Sequence, residues 1–390
     1  MRHSDQKRSK RGASARAAID FPLFLTTVLL VGFGLVMVFS ASSMTSWRAD
    51  APSAAGVVSE TFDPWYYTKR QAAFALGGLV CMFAAMSVPY RAFRKLYIPF
   101  FVAMILLLAA TPFVAEDRNG ARSWIPVGPF TLQPSEFAKL ALILYLASVI
   151  SKKGDGIRDL RKGFLPVAAV VALFAGLIMC QNDVGTALIV VAIAGVMLLV
   201  GGTSWKHLAA SGIVAMAAVA ILVLEKQYRL DRILSFLHPE QDRLGSGYQL
   251  LQSLYAFSHG GWQGAGLGQS IQKLYYIPEA HNDFIFSIIG EEFGFVGTSL
   301  FIAAYVFFVW RGVLLSLRSP DAYGMLLGIG IMSWFAIQAV VNIGGVTGSM
   351  PLTGVTLPFI SYGGSSLVAS MTAVGIVLGI SRERSTANVT

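Results

Sequence analysis

Four polar clusters sit at the edges of long apolar runs, and each holds side chains able to do chemistry. The first is Pro278-Glu279-Ala280-His281-Asn282-Asp283-Phe284-Ile285-Phe286. Asp283 stands where an apolar run begins, and two compatible readings are open for it. It is a helix N-cap, where Asp is among the best residues at ~1 kcal/mol, or a partly desolvated carboxylate with its pKa raised towards general-base range. The second cluster is Gln133-Pro134-Ser135-Glu136-Phe137-Ala138-Lys139. Glu136 and Lys139 share a helical face, either as a structural ion pair or as functional charge at a membrane edge. In the third, Gln181-Asn182-Asp183-Val184-Gly185-Thr186, Asp183 is a candidate cap in a short turn. The fourth, Ser349 to Ser366, mixes Pro, Gly and hydroxyl residues, including Ser361, Tyr362 and Ser365. Such a segment reads as a broken helix entry lining a cavity, or as small residues allowing close packing.

The elements that must position these clusters are membrane helices. Of 390 residues, 55% are hydrophobic and only 13% charged, with mean hydropathy +0.63. A soluble domain carries roughly a quarter charged residues, so cytosolic enzymes, disordered scaffolds and secreted disulfide modules are excluded. Apolar length and periodicity give ten spans: 21–43, 71–88, 97–115, 137–150, 164–180, 184–200, 208–225, 284–310, 322–345 and 358–380. The expected class is therefore an all-α polytopic membrane protein of ten transmembrane helices, with a long extracellular loop between the seventh and eighth. A basic tail (1–20) precedes the membrane domain (21–380, including the 226–283 loop), and a second tail (381–390) follows. The first apolar run exceeds the ~7–15-residue core of a cleaved signal peptide and is read as a retained helix.

Loops and tails on the N-terminal side hold 19 Lys and Arg in 69 residues, against 10 in 121 on the other side. The positive-inside rule puts both termini in the cytoplasm. The net charge of +9 thus reads as topology, not as a nucleic-acid surface. Cys81 and Cys180 fall inside spans and read as apolar filler, too few for a zinc site. No GxxxxGK[ST] loop is present. The glycine-rich stretch Gly260–Gly268 lacks a βαβ context and lies outside, so a dinucleotide reading is rejected. Arg229, Arg232, Arg243 and Lys273 in the long loop, with Arg118 and Arg122, are cations able to attract phosphate.

Taken together, these motifs resemble the SEDS family (shape, elongation, division and sporulation). The resemblance rests on Gly266-Leu267-Gly268, Gln272-Lys273-Leu274, the Pro278–Phe286 segment and Ile289-Gly290-Glu291-Glu292. It rests also on Gly120-Ala121-Arg122-Ser123-Trp124-Ile125, Gln133–Lys139 and Pro351–Ser366. The Pro278–Asp283 wording and Thr356-Leu357-Pro358 look most like division and sporulation (FtsW-like) members. Two departures are Asn282, where Thr is common, and Ser123, where a second basic residue is frequent.

The resemblance implies a peptidoglycan glycosyltransferase that polymerises lipid II into β-1,4 glycan at the outer face of the cytoplasmic membrane during division. Implied partners are a class B penicillin-binding protein transpeptidase and other divisome proteins. Asp283 matches the family's essential loop aspartate and is the expected catalytic base. The expected substrate-binding residues are Arg122, Glu136, Lys139, Lys273, His281, Ser361, Tyr362 and Ser365. Arg122, Lys139 and Lys273 would face the departing pyrophosphate, with Glu136 holding Lys139. A divalent cation, magnesium or manganese, is a candidate helper, and the metal ligands are unknown. Gln338, Asn342 and Tyr362 are candidate walls of the lipid groove. The competing readings are a lipid II flippase and a non-catalytic hub for a transpeptidase.

Overall fold

Asp20-Phe21-Pro22 is a helix start. The Asp20 carboxylate accepts the Leu23 N–H at 3.1 Å, and Pro22 sits in the first turn, where no N–H is needed. In the computed structural model of the protein this opens α1 (Phe21–Ser42). The structure describes residues 19–44, 47–49, 60–118, 121–128, 130–225, 227–242 and 245–383. Most of the two expected tails, Arg243 and the side chain of Arg229 lie outside those residues.

The helices that follow are α2 (Tyr66–Ser87), α3 (Tyr90–Val114), α4 (Pro134–Lys153), α5 (Leu165–Met179), α6 (Val184–Val200) and α7 (Trp205–Glu225). Then come α8 (Gln227–Leu237), α9 (Ser246–Gly260), α10 (Ile285–Leu317), α11 (Ala322–Val346) and α12 (Gly364–Arg382). Among the described residues, eight helices are long and apolar enough to cross a membrane. Val184–Val200 and Trp205–Ile221 are apolar but shorter. At 17 residues, α6 spans ~26 Å at 1.5 Å per residue, just under a ~30 Å hydrocarbon core.

The fold is mostly helical, as expected for the class, but one boundary needs correction and two small sheets were not foreseen. In the first, β1 (Trp47–Ala49) pairs antiparallel with β2 (Glu60–Phe62). Likewise β3 (Glu116–Arg118), β4 (Ala121–Val127) and β5 (Phe130–Leu132) form a second small sheet, with Val127 opposite Phe130. Strands of three residues are too short to print a period-two pattern. The last helix begins at Gly364, not at residue 358, and residues 351–363 form no helix. Pro358 disfavours helix for the residue before it, and Phe359 takes a left-handed φ of 69°.

α4, α11 and α12 form the buried centre, with two-thirds or more of their apolar windows enclosed. α2 lies along α12. α3 and α7 present apolar side chains outward, among them Leu106, Phe113, Ile213 and Met216. In water such an exposed apolar face is an aggregation liability; towards lipid it is a normal surface. α10 is broken at Gly294, whose φ of 64° lies in the region glycine favours. The gap is filled by residues 261–266. The Ala265 and Gly266 N–H groups donate to the Glu291 and Glu292 carbonyls (2.9 and 3.0 Å), and the Phe295 N–H donates to Gly261 O (2.8 Å). Backbone groups freed by the break are thus satisfied within protein, as a low-dielectric setting demands.

Candidate active site

Asp283 precedes α10 but does not cap it. Phe284 is the N-cap residue and no side chain accepts an N–H there, so of the two readings the capping one is corrected. The Asp283 carboxylate is half-buried and lines a cavity of about 60 Å³ with Arg232, Gln249, Asn342, Thr353 and Gly354. Burial pushes its pKa up to about 6, helped by the negative charges of Glu279 and Asp183, while Arg232 acts the other way.

The 351–363 segment forms one wall because α11 holds it there. Asn342, buried on α11, donates from Nδ2 to the Asp283 carbonyl (2.8 Å) and to the Val355 carbonyl (2.7 Å). One amide therefore ties the aspartate's backbone to the cavity wall. Gly354, at φ 70°, faces the carboxylate, and a Cβ there would stand 3.4 Å from Asp283 Oδ2. Replacing Asn342 by Leu removes both hydrogen bonds. Displacements near 1 Å at a reacting group cost ~10²-fold, so Asn342→Leu is expected to slow any reaction that Asp283 carries by about 10–100-fold. Initial rates on folded protein check this.

The other sequence candidates divide into those at this site and those spent on architecture. Arg122, on β4, is exposed, and its N–H donates to Gln181 O at 3.1 Å. This places it beside the turn whose Asp183 caps α6 through the Thr186 N–H (2.9 Å). Burial raises the pKa of Asp183, partly offset by its bonds to Thr186 and by Lys139.

Glu136 and Lys139 are buried and paired at 2.8 Å. The Lys139 ammonium also donates to Gln338 Oε1 (2.7 Å) and lies 4.8 Å from the centre of the Trp334 ring. Gln338 in turn donates to the Thr356 carbonyl (2.9 Å), again fixing the cavity wall. Lys273 is buried against Glu292 (2.9 Å), Gly268 O (2.7 Å) and Ser40 Oγ (3.2 Å). Both ammoniums are enclosed and already hydrogen-bonded.

His281 is buried, its ring 4.3 Å from Tyr67 and 5.6 Å from Tyr362 between centroids. Burial alone lowers its pKa to about 4, leaving the ring neutral. Its carbonyl accepts the Tyr362 N–H at 2.9 Å. Ser361 Oγ accepts the Leu357 N–H (2.8 Å), and Ser365 Oγ accepts the Gln133 N–H (3.0 Å) and donates to Thr131 O (3.2 Å). Ser361, Tyr362 and Ser365 thus lie at the entry to α12, with His281 packed against it. Among the described residues no group of three or more His, Cys, Asp or Glu converges to hold a metal. Gln249 was not legible as a site residue, whereas Thr353 and Gly354 fall in the Ser349–Ser366 segment read as lining a cavity. Asn342 carried the one usable signal, a polar side chain in an apolar span.

Known proteins resemble the chain over most of its length. Residues 21–386 match the model of the FtsW/RodA/SpoVE family, described as cell cycle protein. The chain is 43% identical over 369 residues to "Stage V sporulation protein E" of Bacillus subtilis (strain 168), covering 93% of this chain and 97% of that one. It is 46% identical over 367 residues to "Probable peptidoglycan glycosyltransferase FtsW" of Trichlorobacter lovleyi, covering 94% and 93%. A solved structure, "Structural coordination of polymerization and crosslinking by a peptidoglycan synthase complex", contains a similar chain. It superposes with a TM-score of 0.77 at 31% identity, over 95% of this chain and 99% of that one. This multi-pass membrane protein belongs to the FtsW/RodA/SpoVE family.

Proposed function

We propose that the protein is a peptidoglycan glycosyltransferase that polymerises lipid II at the outer membrane face, with Asp283 as general base. One observation carries the reading: a half-buried carboxylate that caps nothing, lines a cavity and has its pKa raised to about 6. A group with that pKa is ionised at neutral pH yet basic enough to take a proton. Relatives named peptidoglycan glycosyltransferase, and a neighbour within a peptidoglycan synthase complex, support the substrate class.

In the reaction, Asp283 accepts the proton of a sugar 4-hydroxyl as its oxygen bonds to the anomeric carbon of a second lipid-linked sugar. The bond from that carbon to the phosphate oxygen breaks, and its electron pair leaves with undecaprenyl pyrophosphate. Attack opposite an α-linked phosphate gives a β-1,4 bond. Pyrophosphate is a good leaving group, so one base and nearby positive charge suffice, unlike the two carboxylates of glycoside hydrolysis. Arg232, which lines the cavity with Asp283, and the exposed Arg122 are the cations proposed for that charge, whereas Lys139 acts by fixing the cavity wall through Gln338 and Lys273 by tying α10 to α1. A magnesium or manganese ion accompanying the pyrophosphate would be held by the phosphates, since the described residues do not converge into a ligand set.

The architecture proposed for this activity has ten spans, counting the short α6 and α7, with cytoplasmic termini and the 226–283 segment outside. A class B penicillin-binding protein would crosslink the product, within a division or sporulation assembly. The deciding experiment supplies lipid II to the purified protein and its transpeptidase in detergent. Long glycan is expected. A flippase has no second leaflet to reach there, and a hub has no chemistry, so absence of polymer would overturn the reading.

A further inference from the structure

A second, larger cavity opens beside the first. It measures about 700 Å³ and runs between α8 and α9, lined by Arg232, His238, Gln241, Tyr248, Gln249 and Pro278 among others. Arg232 and Gln249 line both spaces, so the groove adjoins the Asp283 cavity. Its volume falls within the ~300–1,000 Å³ of small-molecule sites.

The groove is preformed. Asp242 accepts from Ser235 Oγ (2.6 Å) on α8 and from the Gly245 and Gly247 N–H groups (2.8 and 3.1 Å) at the start of α9. One carboxylate thus staples the two helices together at the rim. Its charge also limits the occupant. Among the described residues, Asp231 and Asp242 line the groove with Arg232 as its one Arg or Lys, and His238 lies 3.7 Å from Glu240. A pyrophosphate would meet carboxylates there. An uncharged polyhydroxyl ligand would meet two carboxamides, a guanidinium and the face and hydroxyl of a half-buried tyrosine. Those groups offer paired donors and acceptors for hydroxyls and acetamides, and an apolar plane for sugar C–H faces.

We propose that the α8–α9 groove is a carbohydrate subsite for uncharged β-linked N-acetylated sugars, delivering one end of the saccharide to Asp283 past Arg232 and Gln249. The ligand class rests on the polymerase reading; the groove itself does not. Two sources present the same chemistry, the sugars of an incoming lipid-linked unit and those of the growing glycan. A groove that grips the growing glycan keeps it bound between couplings, so its loss shortens the product more than it slows the first coupling.

The test uses the full chain in detergent and the β-1,4 tetramer of N-acetylglucosamine, read by saturation-transfer NMR. Tyr248→Ala and Gln241→Ala, each checked for unchanged thermal unfolding, are compared with the wild type. Saturation of tetramer protons by the wild type, reduced at least fivefold in both variants, is the expected result. No saturation by the wild type, or equal saturation by all three, overturns the proposal. Glycan made from lipid II by the same proteins separates the sources: a fall in long product relative to the first-coupling product assigns the growing chain, and a parallel fall in both assigns the incoming unit. If the tetramer binds as expected but no protein makes polymer, the groove stands and the polymerase reading fails.

Discussion

Asp283→Asn is expected to abolish glycan synthesis, by at least about 10²-fold and up to ~10⁴-fold, the range that general-base catalysis supplies. The substitution keeps size and shape and removes only the ability to take a proton. It is also expected to leave the protein folded, for a structural reason. The side chain caps no helix, and the Asn342 bond that locks this position goes to the backbone carbonyl, which the variant retains. The Asn variant relieves the cost of holding a carboxylate in a partly buried site, so thermal unfolding is expected to match or exceed that of the wild type. A hub predicts the opposite pattern, since Asn would preserve any shape-dependent recruitment. Polymer assays and unfolding curves on the same two preparations check both halves.

The second large effect falls on stability. Lys139→Met is expected to destabilise the protein by about 3–5 kcal/mol, the penalty for leaving one member of a buried ion pair alone. Glu136 is buried and would lose its ammonium, and Gln338 Oε1 would keep only the Trp334 N–H (2.6 Å) as donor. Removing both charges, with Glu136→Leu and Lys139→Met together, leaves no stranded carboxylate and is expected to recover most of the loss. Thermal unfolding in detergent measures this. A double variant worse than the single one would show that the pair contributes more than mutual neutralisation. Any recovered protein is expected to remain slow, because Gln338 also anchors the cavity wall at Thr356.

Sequence was most informative where one helix speaks for itself. The boundaries of α1, α6 and α11 follow from apolar runs ended by Asp, Gly or Thr, and Asp20, Asp183 and Asp321 each cap the helix that follows. The entry to α12 was misplaced because Phe359 and Ile360 are as apolar as any span, and hydropathy does not register that residues 351–363 take a non-helical path. The helices inside the long loop were missed although Leu230, Leu234 and Leu237 carry helical spacing. Eleven residues of amphipathic helix look like loop when the search is for spans of ~20.

At the site, residue types were legible and partners were not. Lys139 was readable as a cation paired with Glu136, but its other hydrogen-bond partner, Gln338, lies 199 positions away. Lys273 looked like a phosphate ligand because its loop is external, yet Glu292 and Ser40 enclose it from α10 and α1. Asp283 and Asn342 are joined by a backbone carbonyl, and such a contact leaves no trace in side-chain chemistry. The cavity exists only because α11, the 351–363 segment and the loop before α10 converge.

The most direct measurement is kcat/KM for lipid II coupling from pH 5 to pH 8. With Asp283 as base and its pKa at about 6, the active form is the ionised one, so the rate is expected to be level above pH 7. It should bend near pH 6 and fall about tenfold per unit below it. His281, lowered to about 4, stays neutral throughout and adds no second bend in that window. A profile that stays flat down to pH 5, or that falls as the pH rises through 6, would contradict Asp283 as the base.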